Sequence, residues 1–197
     1  QGEMQQGRKH LLVLTPTLGE KDTLERTIKS VKEYSNGLVT HKIICPSKSY
    51  FKLSERYPEH EILREPDEIG GVFQSINWAL KNTYETYNYF TYINDDDYWL
   101  PGMCLMLSKS LSMKYHLVYS SNLFVDTKYN LDYRSSCFPN TSIFCNLCRS
   151  LIPQFTQQSV LIKFAKLKEL NYFDESLPLN ADTDFFYRMI RRKNNST

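Results

Sequence analysis

Three carboxylates stand side by side at Asp95, Asp96 and Asp97, directly behind the run Tyr89-Phe90-Thr91-Tyr92-Ile93 and ahead of Trp99-Leu100-Pro101. Adjacent like charges repel, so the cluster calls for a positive partner. Hard oxygen ligands of this type suit Mg2+ or Mn2+, ions that keep open positions for phosphate oxygens. The plain alternative is a solvated acidic turn. Its position behind an apolar, aromatic run weighs against that, because such a run reads as a buried strand. A calcium loop needs acids at alternating positions around a glycine, which Asp95 to Gly102 does not supply. A second acidic pair, Asp182 and Asp184, opens the stretch "NADTDFFYRMIRR". A helix dipole favours carboxylates there, and Asp182 would serve simply as an N-cap. Ionised at neutral pH by a reference pKa near ~4, it would equally serve as a base toward an attacking hydroxyl.

The elements that must position these acids follow from periodicity. "HLLVLTPTLGE" is an apolar run opening into a loop at Thr15-Pro16-Thr17, and 22–34 carries Leu24, Ile28 and Val31 at helical spacing behind Asp22 as N-cap. Strands are then expected at "HKIIC", "HEILREP" and "YFTYIN", with helices over 50–57 and 71–81 between them. Alternating strand and helix implies a mostly parallel sheet covered on both faces, a Rossmann-like nucleotide-binding half with right-handed crossovers. Ligands of such sheets bind beyond the carboxyl ends of the strands, where the acids fall. The second half is less regular. A helix is expected over 101–112 with Met103, Leu107 and Leu111 on one face, short antiparallel strands over 116–135, a loop over 136–156, a strand at "SVLIKF", and helices over 166–170 and 182–192. The domain reading is a lead-in over 1–9 and one domain over 10–197, its halves 10–100 and 101–197.

Bulk properties exclude several classes. With 24 basic and 22 acidic residues among 197, net charge is +2, without the polyelectrolyte character that nucleic-acid binding needs. Cys45, Cys104, Cys137, Cys145 and Cys148 are odd in number and too sparse for a disulfide scaffold, as in a reducing cytosol. Cys145 and Cys148 have zinc-knuckle spacing but lack a second ligand pair beyond Cys137 and His116, so structural zinc is not expected. No run approaches the ~20 apolar residues of a spanning helix, and the first ten residues lack a signal-peptide core. "EIGGVF" matches neither glycine-rich phosphate loop. Trp78 reads as packing, Trp99 equally as core or sugar platform, and Arg191-Arg192-Lys193 as a helix end suited to its dipole or to anionic lipid.

The order of "LLVLTPTLGEKDTLERTIKSV", "EPDEIGGVFQSINWAL", "YFTYINDDDYWLPGMCLML" and "NYFDESLPLNADTDFFYRM" resembles the family 2 glycosyltransferases of the GT-A fold. It is most similar to the bacterial branch that makes capsule, colanic-acid or O-antigen sugars. The resemblance runs over about residues 10 to 192. It implies a nucleotide-binding, mostly parallel sheet with a small antiparallel acceptor-side portion. It further implies an inverting, metal-dependent transfer from a nucleotide sugar, a UDP-sugar first, to a saccharide or lipid-linked saccharide in surface-polysaccharide synthesis.

Carried over by position, the donor-binding residues are Thr15, Pro16, Thr17, Glu20, Asp67, Asn77, Asn94 and Asp95. The metal, Mn2+ or Mg2+, falls to Asp96 first, Asp95 next, with Asp97 orienting them. Asp182 matches the general base, and Asp184 and Arg188 its supports. Gln157 and Gln158 stand where relatives often carry an acceptor-side pair. A cytoplasmic protein, peripheral at the inner face of the cytoplasmic membrane, is expected by the same analogy. Departures are Cys45-Pro46-Ser47-Lys48 in place of an acidic base-binding element, Gln74 where an Asp is frequent, and an end soon after the Asp182 helix. The last implies a shortened or minimal catalytic domain. Two competing readings are a non-catalytic nucleotide- or sugar-binding GT-A module and a sugar nucleotidyltransferase. "TPTLGEKDT", with its single glycine, lacks the phosphate loop of the latter.

Overall fold

Leu11, Leu12, Val13 and Leu14 are successive residues, and all four are fully buried. Strand side chains alternate between faces, so a strand buried at every position is covered on both sides, as the central strand of a parallel sheet must be. The computed structural model describes residues 9–112, 117–119, 123–126, 131–134 and 159–191. Its strands are β1 (Lys9–Pro16), β2 (Val39–Cys45), β3 (Glu61–Arg64), β4 (Tyr87–Tyr92), β5 (Leu117–Tyr119), β6 (Leu123–Asp126), β7 (Leu131–Arg134) and β8 (Val160–Lys163). Its helices are α1 (Thr23–Tyr34), α2 (Ser47–Arg56), α3 (Val72–Lys81), α4 (Gly102–Ser110), α5 (Phe164–Glu169) and α6 (Ala181–Arg191).

Six strands form one sheet in the order β3-β2-β1-β4-β8-β5. β1 pairs in parallel with β2 and β4, and β2 with β3. β8 runs antiparallel to both β4 and β5, and β6 and β7 form a separate antiparallel pair. The expected mostly parallel α/β sheet with a small antiparallel portion is therefore the observed fold.

Alternation along β1 divides the core. Leu12 and Leu14 join Phe73 and Ile76 of α3, Leu167 of α5 and Phe185 and Met189 of α6. Leu11 and Val13 face Val31 of α1, Trp99, and Met103 and Leu107 of α4. Each fully buried side chain of this size contributes about 1.5–3 kcal/mol. Trp99 is thus a core residue, only 3% exposed, and Trp78 packs against the first cluster.

Local departures have local causes. α2 starts at Ser47, ahead of the expected 50–57, because Pro46 sits extended at φ −68° and ψ 160° and the chain turns helical directly after it. Leu111 lies beyond the end of α4 and is exposed, and Met106 fills the buried face instead. Asp22 has helical backbone angles and makes no capping bond. Cys137, Cys145, Cys148, Gln157, Gln158, Arg192 and Lys193 lie outside the described residues. No helix among the described residues is long and apolar enough to cross a membrane.

Candidate active site

β1 to β4 are mutually parallel, so their carboxyl ends share one edge, where the 17–22 loop and the acidic turn after β4 meet. Two side chains of that loop and three of α1 hold the turn. The Thr17 hydroxyl donates to Asp95 Oδ2 at 2.7 Å, and Lys21 Nζ donates to Asp95 Oδ1 at 3.0 Å and Asp96 Oδ2 at 2.7 Å. Thr23 Oγ1 donates to the Asp95 carbonyl at 2.7 Å, Thr27 Oγ1 to the Asp97 carbonyl at 2.5 Å, and Arg26 Nη2 to the Asp96 carbonyl at 3.3 Å. Asp97 N closes the turn on the Asn94 carbonyl at 3.2 Å, and the Ser30 hydroxyl accepts from Trp99 N at 2.9 Å. Asp95 is buried and held at both oxygens, whereas the Asp96 side chain is half exposed.

The loop reaches the acids because of one glycine. Gly19 has φ +75°, and a Cβ there would come within 2.9 Å of Ser49 Cβ. Gly19 N donates back to Thr17 Oγ1 at 3.0 Å, so Thr17 is fixed while it holds Asp95. Lys21, Thr23, Arg26 and Thr27 did not stand out in the sequence. Their signal was the unanswered repulsion of the triplet, which required a cation without naming it.

The donor set is compatible with a hard divalent cation. Asp95 Oδ1 and Asp96 Oδ2 already converge on one positive centre, the Lys21 ammonium. No group of three His, Cys, Asp or Glu side chains converges among the described residues. Asp95 and Asp96 would hold such an ion, and Mg2+ commonly binds through one or two carboxylates together with water or phosphate oxygens.

Asp182 enters from α6. It is the second residue of the helix rather than its N-cap, and its Oδ1 accepts from Thr183 N at 2.8 Å. Burial raises its pKa above the usual aspartate value, against the lowering effect of that bond. Tyr92, at the end of β4 and 4% exposed, is held protonated well above the ordinary phenol range, by burial first and then by the charges of Asp182 and Asp97. The two acidic stretches therefore meet electrostatically at Tyr92.

The remaining expected residues are placed as follows. Thr15 is fully buried, its hydroxyl 2.7 Å from His41 Nε2. Pro16 is partly exposed at the end of β1. Glu20 pairs with Lys48 at 2.9 Å on the surface, and Asp67 is exposed in the loop after β3. Asn77 is buried, and its contacts are internal: Nδ2 donates to the Phe173 carbonyl at 2.8 Å and Glu175 Oε1 at 2.9 Å, and Oδ1 accepts from Phe173 N at 3.1 Å. Arg188 donates to Asp184 Oδ2 at 2.7 Å, to the Tyr172 carbonyl at 2.8 Å and to the Leu170 carbonyl. Asp184 and Arg188 line a cavity of about 530 Å³ with Asn77 and Lys81, and Asp182 is not among its walls.

No family model matches this chain, and no curated protein does. Solved structures do. S. aureus TarS 1–349 in complex with UDP-GlcNAc is similar at TM-score 0.61 and 16% identity, over 92% of this chain and 52% of that one. The mannosyltransferase PcManGT from Pyrobaculum calidifontis, in complex with GDP-Man and Mn2+, gives 0.54 and 17%, over 89% and 51%. The 4-diphosphocytidyl-2C-methyl-D-erythritol synthase of Anaerococcus prevotii gives 0.52 and 10%, over 91% and 82%. The chain spans about half the length of the first two. At these identities the likeness is one of fold, and the fold of this chain is that of the GT-A glycosyltransferases.

Proposed function

We propose that this protein is an inverting, metal-dependent glycosyltransferase of the family 2 type, taking sugar from a nucleotide donor, a UDP-sugar first. The acceptor is a saccharide or lipid-linked saccharide of the kind used in surface-polysaccharide synthesis, met at the inner face of the membrane. The observation that supports the reading is the acidic turn at the carboxyl edge of the parallel sheet, where Asp95 Oδ1 and Asp96 Oδ2 face one positive centre. Asp182, whose carboxyl pKa burial raises, is the candidate base that goes with it.

Asp95 and Asp96 would hold Mn2+ or Mg2+, which when bound supplies charge to offset the departing diphosphate. Thr17 keeps Asp95 oriented, and α1 fixes the turn through the carbonyls of Asp95 and Asp97. The acceptor oxygen forms its bond to the anomeric carbon as the bond to the diphosphate breaks, and the nucleoside diphosphate departs with that electron pair. Asp182 takes the hydroxyl proton, and attack opposite the leaving group inverts the centre. Asn77 and Arg188 act at a distance, by pinning residues 170–175 ahead of the helix that carries Asp182.

The fold likeness to the erythritol synthase favours one second reading, a nucleotidyltransferase. The loop after β1 has one glycine, Gly19, turned toward Ser49, and so forms no glycine nest for a triphosphate. Incubating purified protein with Mn2+ or Mg2+ and a panel of nucleotide sugars tests the proposal. Asp96→Ala is expected to weaken donor binding, and Asp182→Asn to retain binding while removing turnover. Absence of binding and hydrolysis across the panel would sink it, and nucleotide-sugar synthesis from a nucleoside triphosphate would replace it.

A further inference from the structure

The cation that the acidic turn requires is present in the chain itself. Lys21 Nζ lies 3.0 Å from Asp95 Oδ1 and 2.7 Å from Asp96 Oδ2, and Asp95 Oδ2 is already taken by the Thr17 hydroxyl. A divalent ion held by both carboxylates draws on Asp95 Oδ1, because Asp95 Oδ2 accepts from Thr17, and so shares that oxygen with the ammonium. Two positive centres on one oxygen repel each other, so the ammonium weakens metal binding for as long as it stays. From this we infer that Lys21 is a resident counter-ion that competes with the metal for Asp95 and Asp96, and so sets the metal affinity of the site. The inference rests on the nucleotide-sugar reading for its biological sense, and on the geometry alone for the competition.

The surroundings suit an exchange. Lys21 stands on the 17–22 loop with its side chain half exposed, so its four-carbon stem can swing without disturbing a core. The loop itself stays, because Gly19 is packed against Ser49 and Ser49 Oγ donates to the Leu18 carbonyl at 2.5 Å. Released, the ammonium remains tethered within stem length of the site. A nucleoside diphosphate bound to the metal offers it new anionic oxygens. Metal alone therefore competes with Lys21 and gives it nothing in return, whereas metal with a diphosphate re-partners it. Lys21 is thus a positioning residue that couples metal entry to donor entry, and by linkage the coupling is reciprocal.

The test titrates Mn2+ into the full chain and follows free Mn2+ by electron paramagnetic resonance, with and without UDP as probe. Lys21→Met is expected to bind Mn2+ alone about 10-fold tighter than wild type, and UDP to tighten Mn2+ more in wild type than in Lys21→Met. Lys21→Arg should stay near wild type, because it keeps the charge. Asp96→Asn should lose binding in either background, which places the metal at this pair. Equal or weaker Mn2+ binding by Lys21→Met overturns the proposal, as does the absence of Mn2+ binding in all variants. A second measurement needs no variant: the rate of reductive methylation of Lys21, read by mass spectrometry, should rise with Mn2+ alone and fall again with Mn2+ and UDP. An unchanged rate overturns the exchange. Tighter Mn2+ binding by Lys21→Met with no response to UDP in any variant upholds the exchange and overturns the nucleotide-sugar reading instead.

Discussion

The charge of Asp182 reaches the buried phenol of Tyr92 and adds to burial in holding its proton on, although the two residues belong to opposite halves of the chain. The same enclosure raises the pKa of Asp182. As the proposed base, Asp182 must be deprotonated to act, so transfer is expected to fall as pH drops through a value above the ~4 of an exposed aspartate. The stability consequence has the opposite sense. A carboxyl whose folded pKa is raised favours the fold when protonated and opposes it once ionised. Thermal melts of wild type and Asp182→Asn should therefore diverge as pH rises through that pKa, with the variant the more stable at neutral pH and inactive. A variant less stable than wild type at neutral pH would contradict this.

Asn77 ties α3 to the segment before α6 through both its amide nitrogen and its oxygen. Asn77→Ala leaves the buried Phe173 N–H and carbonyl unpaired and is expected to cost about 2–4 kcal/mol. Because that segment leads to Asp182, turnover should fall more than donor affinity. Urea unfolding, read beside separate kcat and Kd measurements, decides the point. Unchanged kcat would mean that the tie is only structural.

Asn171 and Tyr172 both have positive φ, at 58° and 60°, a conformation unfavourable for non-glycine residues. The Arg188 fork holds that turn through the carbonyls of Leu170 and Tyr172 while pairing with Asp184. Lysine has neither the fork nor its planar geometry, so Arg188→Lys is expected to lose about 1–3 kcal/mol although charge is conserved. Equal midpoints in guanidinium unfolding for wild type and Arg188→Lys would refute the clamp.

His41 is held neutral, its pKa lowered to about 3 by burial and then by neighbouring His60. Its Nε2 meets the Thr15 hydroxyl, and its Nδ1 is enclosed without a partner among the described residues. In the unfolded chain it protonates near ~6.5, so its contribution to stability is complete above that pH and declines as pH falls toward the folded value. Between pH ~6.5 and ~5 the loss attributable to this residue is about 1–2 kcal/mol. His41→Gln should remove that portion of the pH dependence, and denaturant midpoints across that range show whether it does.

Much of this fold was legible because its signals are local. Four apolar residues in a row at Leu11 to Leu14 announce a strand covered on both faces, and Leu24, Ile28 and Val31 mark one face of α1. Element ends were less legible, as at α2, where one proline decided the start. Roles that depend on which side chain meets which were not legible at all. Trp99 beside the acids turned out to be core, and Asn77 proved engaged by Phe173 and Glu175.

Sequence alone determined that acidic residues stand after a buried strand at Asp95 to Asp97 and again at Asp182, and that four strands alternate with helices. These are matters of residue type and spacing, which the chain carries along its length. Only the tertiary structure decided that Thr17 and Lys21 close on the first group and that the charge of Asp182, from the other half, is felt at Tyr92. The reason is physical. Parallel strands bring their carboxyl ends to one edge whatever the distance between them in sequence, and it is there that the partners are chosen.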